Sequence, residues 1–263
     1  MFKPRLQHFA QVDSTQHVCQ RHAENGVDEG LVVLADEQTA GRGRMGHTWY
    51  SPPAQAIYAS ILLRPRLTVP QTNWITMIAA LAVIDSVGDM VFGAGTSPAP
   101  TSTPTIKWFN DIFLNGKKLC GILVETSIVN DQIEYAILGV GLNVNTDFAE
   151  APADVRGRAT SLREVWGIAF DREALLAKFL ARFATRYDAL CQSQQSPAQD
   201  YATRVDTLGK WVRVQAADEL IEGLAVGVND LGGLQVQTAN GERIAYFGHV
   251  LSAISKPNPL STQ

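Results

Sequence analysis

The dipeptide Asn115-Gly116 separates two β-rich runs, residues 106–114 and 117–125. Asn-Gly accepts the paired left-handed conformations of a two-residue hairpin turn, so these runs should pair antiparallel. Further strand-like runs cover 6–12, 31–35, 56–64 and 133–140, the last continuing into Gly141-Leu142-Asn143. The run 31–35 is apolar throughout, as a buried strand is. Helical spacing interrupts the strands. Asp13, Ser14 and Thr15 offer cap oxygens for a helix over 15–24, which Asn25-Gly26 ends. Over 73–91, Trp74, Met77, Ile78, Leu81 and Ile84 share one side. Ser161 reads as an N-cap, and Asp171 caps a helix over 172–191 with an apolar stripe from Leu175 to Leu190. These elements predict an α+β fold, a mainly antiparallel mixed sheet packed with helices.

From Gly209 the texture changes to short alternating runs at 211–214, 223–228, 233–237 and 244–250, separated by Asn229-Asp230 and Asn240-Gly241. That pattern predicts a small antiparallel barrel. The expected division is a larger domain over 1–206 and a barrel over 207–263, and no barrel residue stands out as a functional candidate. The Pro/Ser/Thr/Gly-rich run 93–105 reads as a flexible surface loop.

Composition excludes several classes. With 46% hydrophobic and 18% charged residues, the chain can bury a large core. A net charge of −4 without a basic block argues against bulk nucleic-acid binding. The N-terminus lacks the apolar centre of a signal peptide. The most apolar segment, 74–92, contains Asp85 and Asp89 and reads as a core helix, so no membrane association is expected. Cys19, Cys120 and Cys191 are far apart and form no Cys-x-x-Cys, which indicates neither a disulfide frame nor a zinc site. His17 and His22, five apart, do not pair as metal ligands on a helix, and no metal site is expected. The cytoplasm is the expected compartment.

Residues 41–49 carry the chemistry: Gly41-Arg42-Gly43-Arg44-Met45-Gly46-His47-Thr48-Trp49. Glycines let a backbone close around a ligand, guanidinium forks match carboxylate or phosphate oxygens, and a tryptophan offers a flat apolar face. The glycines satisfy G-x-G-x-x-G, but Trp49-Tyr50-Ser51-Pro52-Pro53 follows where a dinucleotide-binding fold needs a helix. No acidic residue occurs between His47 and Ile84, and no Gly-Lys-Ser/Thr follows. Both the dinucleotide-binding and P-loop readings therefore fail. Period two puts Lys118 on the face of Cys120, Ile122 and Val124, so a lysine joins an apolar face, either snorkelling or meeting an anion. Gly121, and Gly139 with Gly141, strip side chains from strands, for tight packing or for a ligand.

These segments resemble the biotin–protein ligase family. The resemblance rests on Gly41-Arg42-Gly43-Arg44 with Trp49, Lys107-Trp108-Phe109-Asn110-Asp111, the run 118–125, Gly139-Val140-Gly141-Leu142-Asn143, and Ser14-Thr15-Gln16 near the start. It implies a class II synthetase-like ligase domain followed by an SH3-like barrel. The implied reaction joins biotin to ATP as biotinyl-5′-AMP, with Mg²⁺ accompanying ATP, then transfers biotin to a lysine of a biotin carboxyl carrier protein. By similarity, Arg44 and Lys118 are the catalytic cations. Ser14, Thr15, Gln16, Gln38, Gly41, Arg42, Gly43, Arg44, Lys118, Gly121, Gly139 and Gly141 would hold biotin. Arg42, Arg44, Trp49, Lys107, Asn110, Asp111, Lys118 and Asn143 would hold ATP and the adenylate.

Two departures stand out. Phe109 replaces a usual proline, which should loosen the turn before Asn110. Met45 and His47 stand where relatives are often basic, which should weaken retention of ATP or the adenylate. Residues 14–15 come too early to leave room for a preceding helix-turn-helix domain, so no DNA binding is expected. Homodimerisation is left open. Lipoate–protein ligase, which shares the catalytic fold, and a non-catalytic biotin sensor are the alternatives.

Overall fold

A computed structural model describes residues 1–93, 103–216 and 219–254. In chain order β1 (Arg5–Val12), α1 (Thr15–Glu24) and β2 (Leu31–Gln38) form a β-α-β unit in which β2 runs parallel to β1. β3 (Ala56–Leu63) and α2 (Asn73–Gly93) follow, then β4 (Thr105–Lys107), β5 (Asp111–Leu114), β6 (Lys117–Val129) and β7 (Gln132–Asn143). The seven strands form one sheet in the order β1-β2-β3-β7-β6-β5-β4, antiparallel at every pairing except β1–β2 among the described residues. Asn115 and Gly116 close the β5–β6 hairpin with positive φ values of 52° and 74°. The expected strand over 106–114 is in fact two short strands, and residues 108–110 form the turn between them. The surface loop expected over 93–105 lies mostly on residues 94–102, outside the described residues.

Each sheet face has its own core. On one face α2 packs on β5 and β6, and α4 (Arg172–Ser193) packs on α2; α3 (Leu162–Trp166) precedes α4 and α5 (Ala198–Ala202) follows it. α2 carries no polar stripe, because Ile75, Ala79, Ala82 and Val83 are as buried as the predicted side. Its two carboxylates leave the apolar environment to meet α4: Asp85 pairs with Arg186 at 2.7 Å and Asp89 with Arg182 at 2.8 Å. That pairing is why an apolar helix with two acids sits comfortably in a core. Asp171 caps α4 by accepting from the amides of Glu173 and Ala174, and the stripe from Leu175 to Leu190 is buried. On the opposite face α1 covers β2, β3 and β7 through Val18, Cys19 and Ala23. The uncovered remainder of that face forms the site.

The C-terminal segment is a five-stranded antiparallel sheet in the order β11-β10-β9-β8-β12, made of β8 (Trp211–Ala216), β9 (Glu219–Val228), β10 (Leu234–Thr238), β11 (Gly241–Ala245) and β12 (His249–Ile254). Its pairings do not close into a barrel among the described residues. The run 244–250 is broken at 246–248 into the end of β11 and the start of β12.

Candidate active site

Lys118 reaches the cleft through a bulge. Ile112 pairs with Cys120 but Phe113 pairs with Lys118, so Leu119 is an extra residue on β6. Leu119 and Cys120 are consequently both buried, and Lys118 turns to the face of Gly121, away from Cys120 and Ile122. The strict period-two expectation fails here, and the failure delivers an ammonium to the floor of the site. There Lys118 Nζ lies 2.7 Å from Asp111 and 5.4 Å from the Trp49 ring centre.

The floor is bare backbone. Gly121 and Gly141 are cross-strand partners, and Gly139 lies opposite Leu123. A Cβ on Gly141 would stand 2.6 Å from the Trp49 indole, and one on Gly139 would stand 2.9 Å from Gln16 Oε1. Either side chain would displace what now rests on the sheet. The glycines and surrounding residues line a cleft that opens to solvent.

One end of the cleft is a neutral hydrogen-bonding network. Ser60 Oγ donates to Thr15 Oγ1 at 2.8 Å, Thr15 donates through its amide to Gln38 Oε1 at 2.9 Å, and Gln38 Nε2 donates to Ser51 Oγ at 3.1 Å. Gln16 Nε2 donates to Glu125 at 2.8 Å. Ser14 Oγ and Gln16 Oε1, both buried, have no partner among the described residues. Ser14 sits at the N-cap position of α1, yet its hydroxyl makes no capping bond. Buried polar atoms without partners are costly, and a bound polar group would satisfy them.

The other end is cationic. Arg44 stacks 4.2 Å above the Phe109 ring and donates to Asn110 Oδ1 at 3.0 Å and to the Gly248 carbonyl at 3.3 Å. Burial lowers its pKa, opposed by Asp111, but a guanidinium stays charged. Phe109 does not loosen its turn: it is buried, and its carbonyl accepts from the buried Tyr201 hydroxyl. Burial also pulls the Lys107 pKa down, partly offset by Asp111.

The flap itself is a small loop closed by backbone hydrogen bonds, the Gly43 amide donating to the His47 carbonyl and the Trp49 amide to the Gly41 carbonyl, with Arg44–Gly46 as a tight turn. Arg42 anchors it to the sheet through Glu125 at 2.9 Å. Beyond Trp49 a second pocket is lined by Tyr50, Phe148 and Val155, and it shares Trp49 and Lys118 with the first.

Most of the predicted residues meet in this place. Ser14, Thr15, Gln16 and Gln38 line the first cleft, as do Arg42, Gly43, Arg44 and Trp49. Asn110, Asp111, Lys118, Gly121, Gly139 and Gly141 complete it. Asn143 lines the second pocket. Gly41 and Lys107 line neither. Gly41 is pressed against Ser51 and the Trp49 carbonyl, so its role is to shape the flap. Lys107 lies alongside, its ammonium 5.5 Å from the Phe113 ring centre. Residues not anticipated are Ser60, Glu125 and His249. Ser60 was visible as the polar residue inside the apolar run 56–63, and Glu125 closes the motif run 118–125 without having been given a role; His249 comes from a distant segment and carried no local signal.

Residues 8–143 match the biotin/lipoate A/B protein ligase family, and residues 207–251 match the biotin protein ligase C-terminal domain. The chain belongs to the biotin/lipoate A/B protein ligase family. The ligase is 32% identical to the biotin–[acetyl-CoA-carboxylase] ligase of Mycobacterium tuberculosis, covering 94% of this chain and 88% of the relative. It is 34% identical to the bifunctional ligase/repressor BirA of Bacillus spizizenii, covering 91% of this chain and 71% of that one. The Aquifex aeolicus biotin protein ligase solved with biotin and ATP superposes with a TM-score of 0.77 at 29% identity, over 95% of this chain and 98% of that one. The Leishmania major enzyme solved with biotinyl-5-AMP gives a TM-score of 0.59 at 26% identity, over 95% and 99% of the two chains.

Proposed function

We propose that this cleft performs the two steps of a biotin–[biotin carboxyl carrier protein] ligase. The ligase activates biotin with ATP as biotinyl-5′-AMP and transfers biotin to a carrier lysine of acetyl-CoA carboxylase. The observation that carries the site assignment is the polarity of one cleft: unpartnered Ser14 Oγ and Gln16 Oε1 at one end, Arg44 and Lys118 at the other. Biotin has the same polarity, with a ureido head that both donates and accepts and a carboxylate tail. Lipoate has no ureido group and would leave those buried atoms unsatisfied, so the biotin reading is favoured over the lipoate one.

In the first step a biotin carboxylate oxygen attacks the α-phosphorus of ATP. A P–O bond forms, the bond to pyrophosphate breaks, and pyrophosphate leaves. Two anions must meet, and Lys118 and Arg44 supply preorganised positive charge where they do. Lys118 exchanges its contact with Asp111 for the carboxylate. The adenine enters the pocket of Tyr50 and Phe148, with Trp49 as the wall between base and biotin. In the second step a neutral lysine amine of the carrier attacks the acyl carbon and AMP leaves. Mg²⁺ would travel with the triphosphate and neutralise its charge, and no cluster of three ligands offers a separate site among the described residues. We also read the ligase as cytoplasmic and without DNA binding, a reading supported by its net charge of −4.

Incubation with ATP, Mg²⁺ and either biotin or lipoate, followed by a carrier domain, tests the assignment. Biotinyl-AMP and a biotinylated carrier are expected. Lipoyl-AMP formed in preference to biotinyl-AMP would reverse it.

A further inference from the structure

His249 opens β12, in the sheet from which the sequence suggested no functional residue, yet its side chain lines the first cleft. Its approach is built into the backbone. Gly248 holds φ at 150°, and a Cβ there would run into the Gln215 carbonyl, so the chain can turn at this point only with glycine. The Gly248 carbonyl accepts from Arg44 Nη1 at 3.3 Å, which ties the turn to the flap. His249 lines the cleft but not the aromatic pocket of Tyr50 and Phe148. It therefore lies outside the pocket assigned above to the base, beside the cations Lys107 and Lys118.

We infer that His249 is an additional substrate-binding residue of this ligase, a contact for the β- and γ-phosphates of ATP that takes up a proton as the triphosphate arrives. The inference rests on the ATP-dependent reading of the cleft. The groups around the imidazole are Lys107 and Asp111 from β4 and β5, Lys118 from β6, and His47 and Arg44 from the flap. Burial first, then Lys107, lower the His249 pKa; Asp111 opposes them, and Lys118 and His47 add smaller lowering effects. The imidazole is thus kept neutral while the site is free. A triphosphate reverses the local field and favours the imidazolium, which adds one donor and one positive charge. After the α–β bond breaks, the contact leaves with pyrophosphate and the proton returns to solvent. The sign follows: a group whose pKa rises on binding strengthens ATP binding at lower pH, and the gain disappears as pH rises through the pKa of the bound form.

The test compares wild type, His249→Gln and His249→Lys in biotin-dependent ATP–pyrophosphate exchange from pH 6.5 to 9. His249→Gln should raise KM for ATP about tenfold at pH 6.5, the lower end for a charge-assisted hydrogen bond, with little change at pH 9. KM for biotin and the affinity for AMP should not move. His249→Lys should restore KM for ATP at pH 6.5 and hold it to higher pH than wild type. Equal losses at both pH values would mean a packing role, and an unchanged KM at pH 6.5 would mean no role; either overturns the inference. If wild type shows no biotin-dependent exchange, the ligase reading itself fails. ATP binding measured calorimetrically on the same three proteins then still decides the role of His249.

Discussion

Lys118 and Arg44 carry the reaction, and they are held differently. Lys118 is paired with Asp111 in the free protein, and the Asp111 oxygen it meets is buried, so removing the ammonium leaves that carboxylate without its partner. Lys118→Met should therefore lower the thermal midpoint while slowing adenylate formation on the order of 100- to 1,000-fold, as for loss of one transition-state donor. Single-turnover formation of biotinyl-AMP together with a melting curve checks both halves. Arg44 is held by Phe109, Asn110 and Gly248, which orients the guanidinium before any ligand arrives. Arg44→Ala should speed dissociation of biotinyl-AMP roughly 10- to 150-fold, the equivalent of one lost charge-assisted hydrogen bond of about 1.5–3 kcal/mol. An unchanged off-rate would remove Arg44 from the binding set.

At the scale of elements, the flap is held at several points, and the most exposed of them is open to test. One anchor to the sheet is the Arg42–Glu125 pair, both partners being more than a third exposed, and Glu125 also holds Gln16 of α1. An exposed pair contributes about 0.2–1 kcal/mol, so Glu125→Gln should raise the open fraction of the flap roughly 1.5- to 5-fold. Trypsin reads this directly, because Arg42 and Arg44 lie in the flap. Faster cleavage in Glu125→Gln, suppressed by biotin and ATP together, is the expected result; equal rates in the two proteins would show that the pair anchors nothing. The flap, the β5–β6 hairpin and the capped helix α4 were all legible in the sequence, because turn chemistry, capping and apolar period are local signals. The orientation of Lys118 was not. A bulge is decided by how β6 registers against β5, and the choice between Lys118 and Leu119 facing inward has no signature within β6 itself.

Across the whole molecule, the C-terminal sheet is part of the site as well as part of the chain. The change of texture from Gly209 was visible in the sequence, but the contacts that join the C-terminal sheet to the rest pair residues more than 90 positions apart, which no local pattern reveals. Trp108 shows how they work. It is buried, its amide donates to Thr207 Oγ1 at 3.0 Å, and its indole donates to the Gly232 carbonyl at 2.9 Å. Trp74 makes a parallel contact, donating to the Asp230 carbonyl at 2.6 Å. The apolar core runs without a break from these tryptophans into Val212, Leu234 and Val236. Two sheets that share one core should unfold together. Urea denaturation is therefore expected to show a single transition by every probe. Trp108→Ala should lower the stability by about 3–5 kcal/mol, as for other buried tryptophans, and should move that one midpoint. Two separated transitions, or a shift confined to one of them, would show instead that the C-terminal sheet folds on its own. Gly248 and His249 would then be held over the cleft only by the flap they touch.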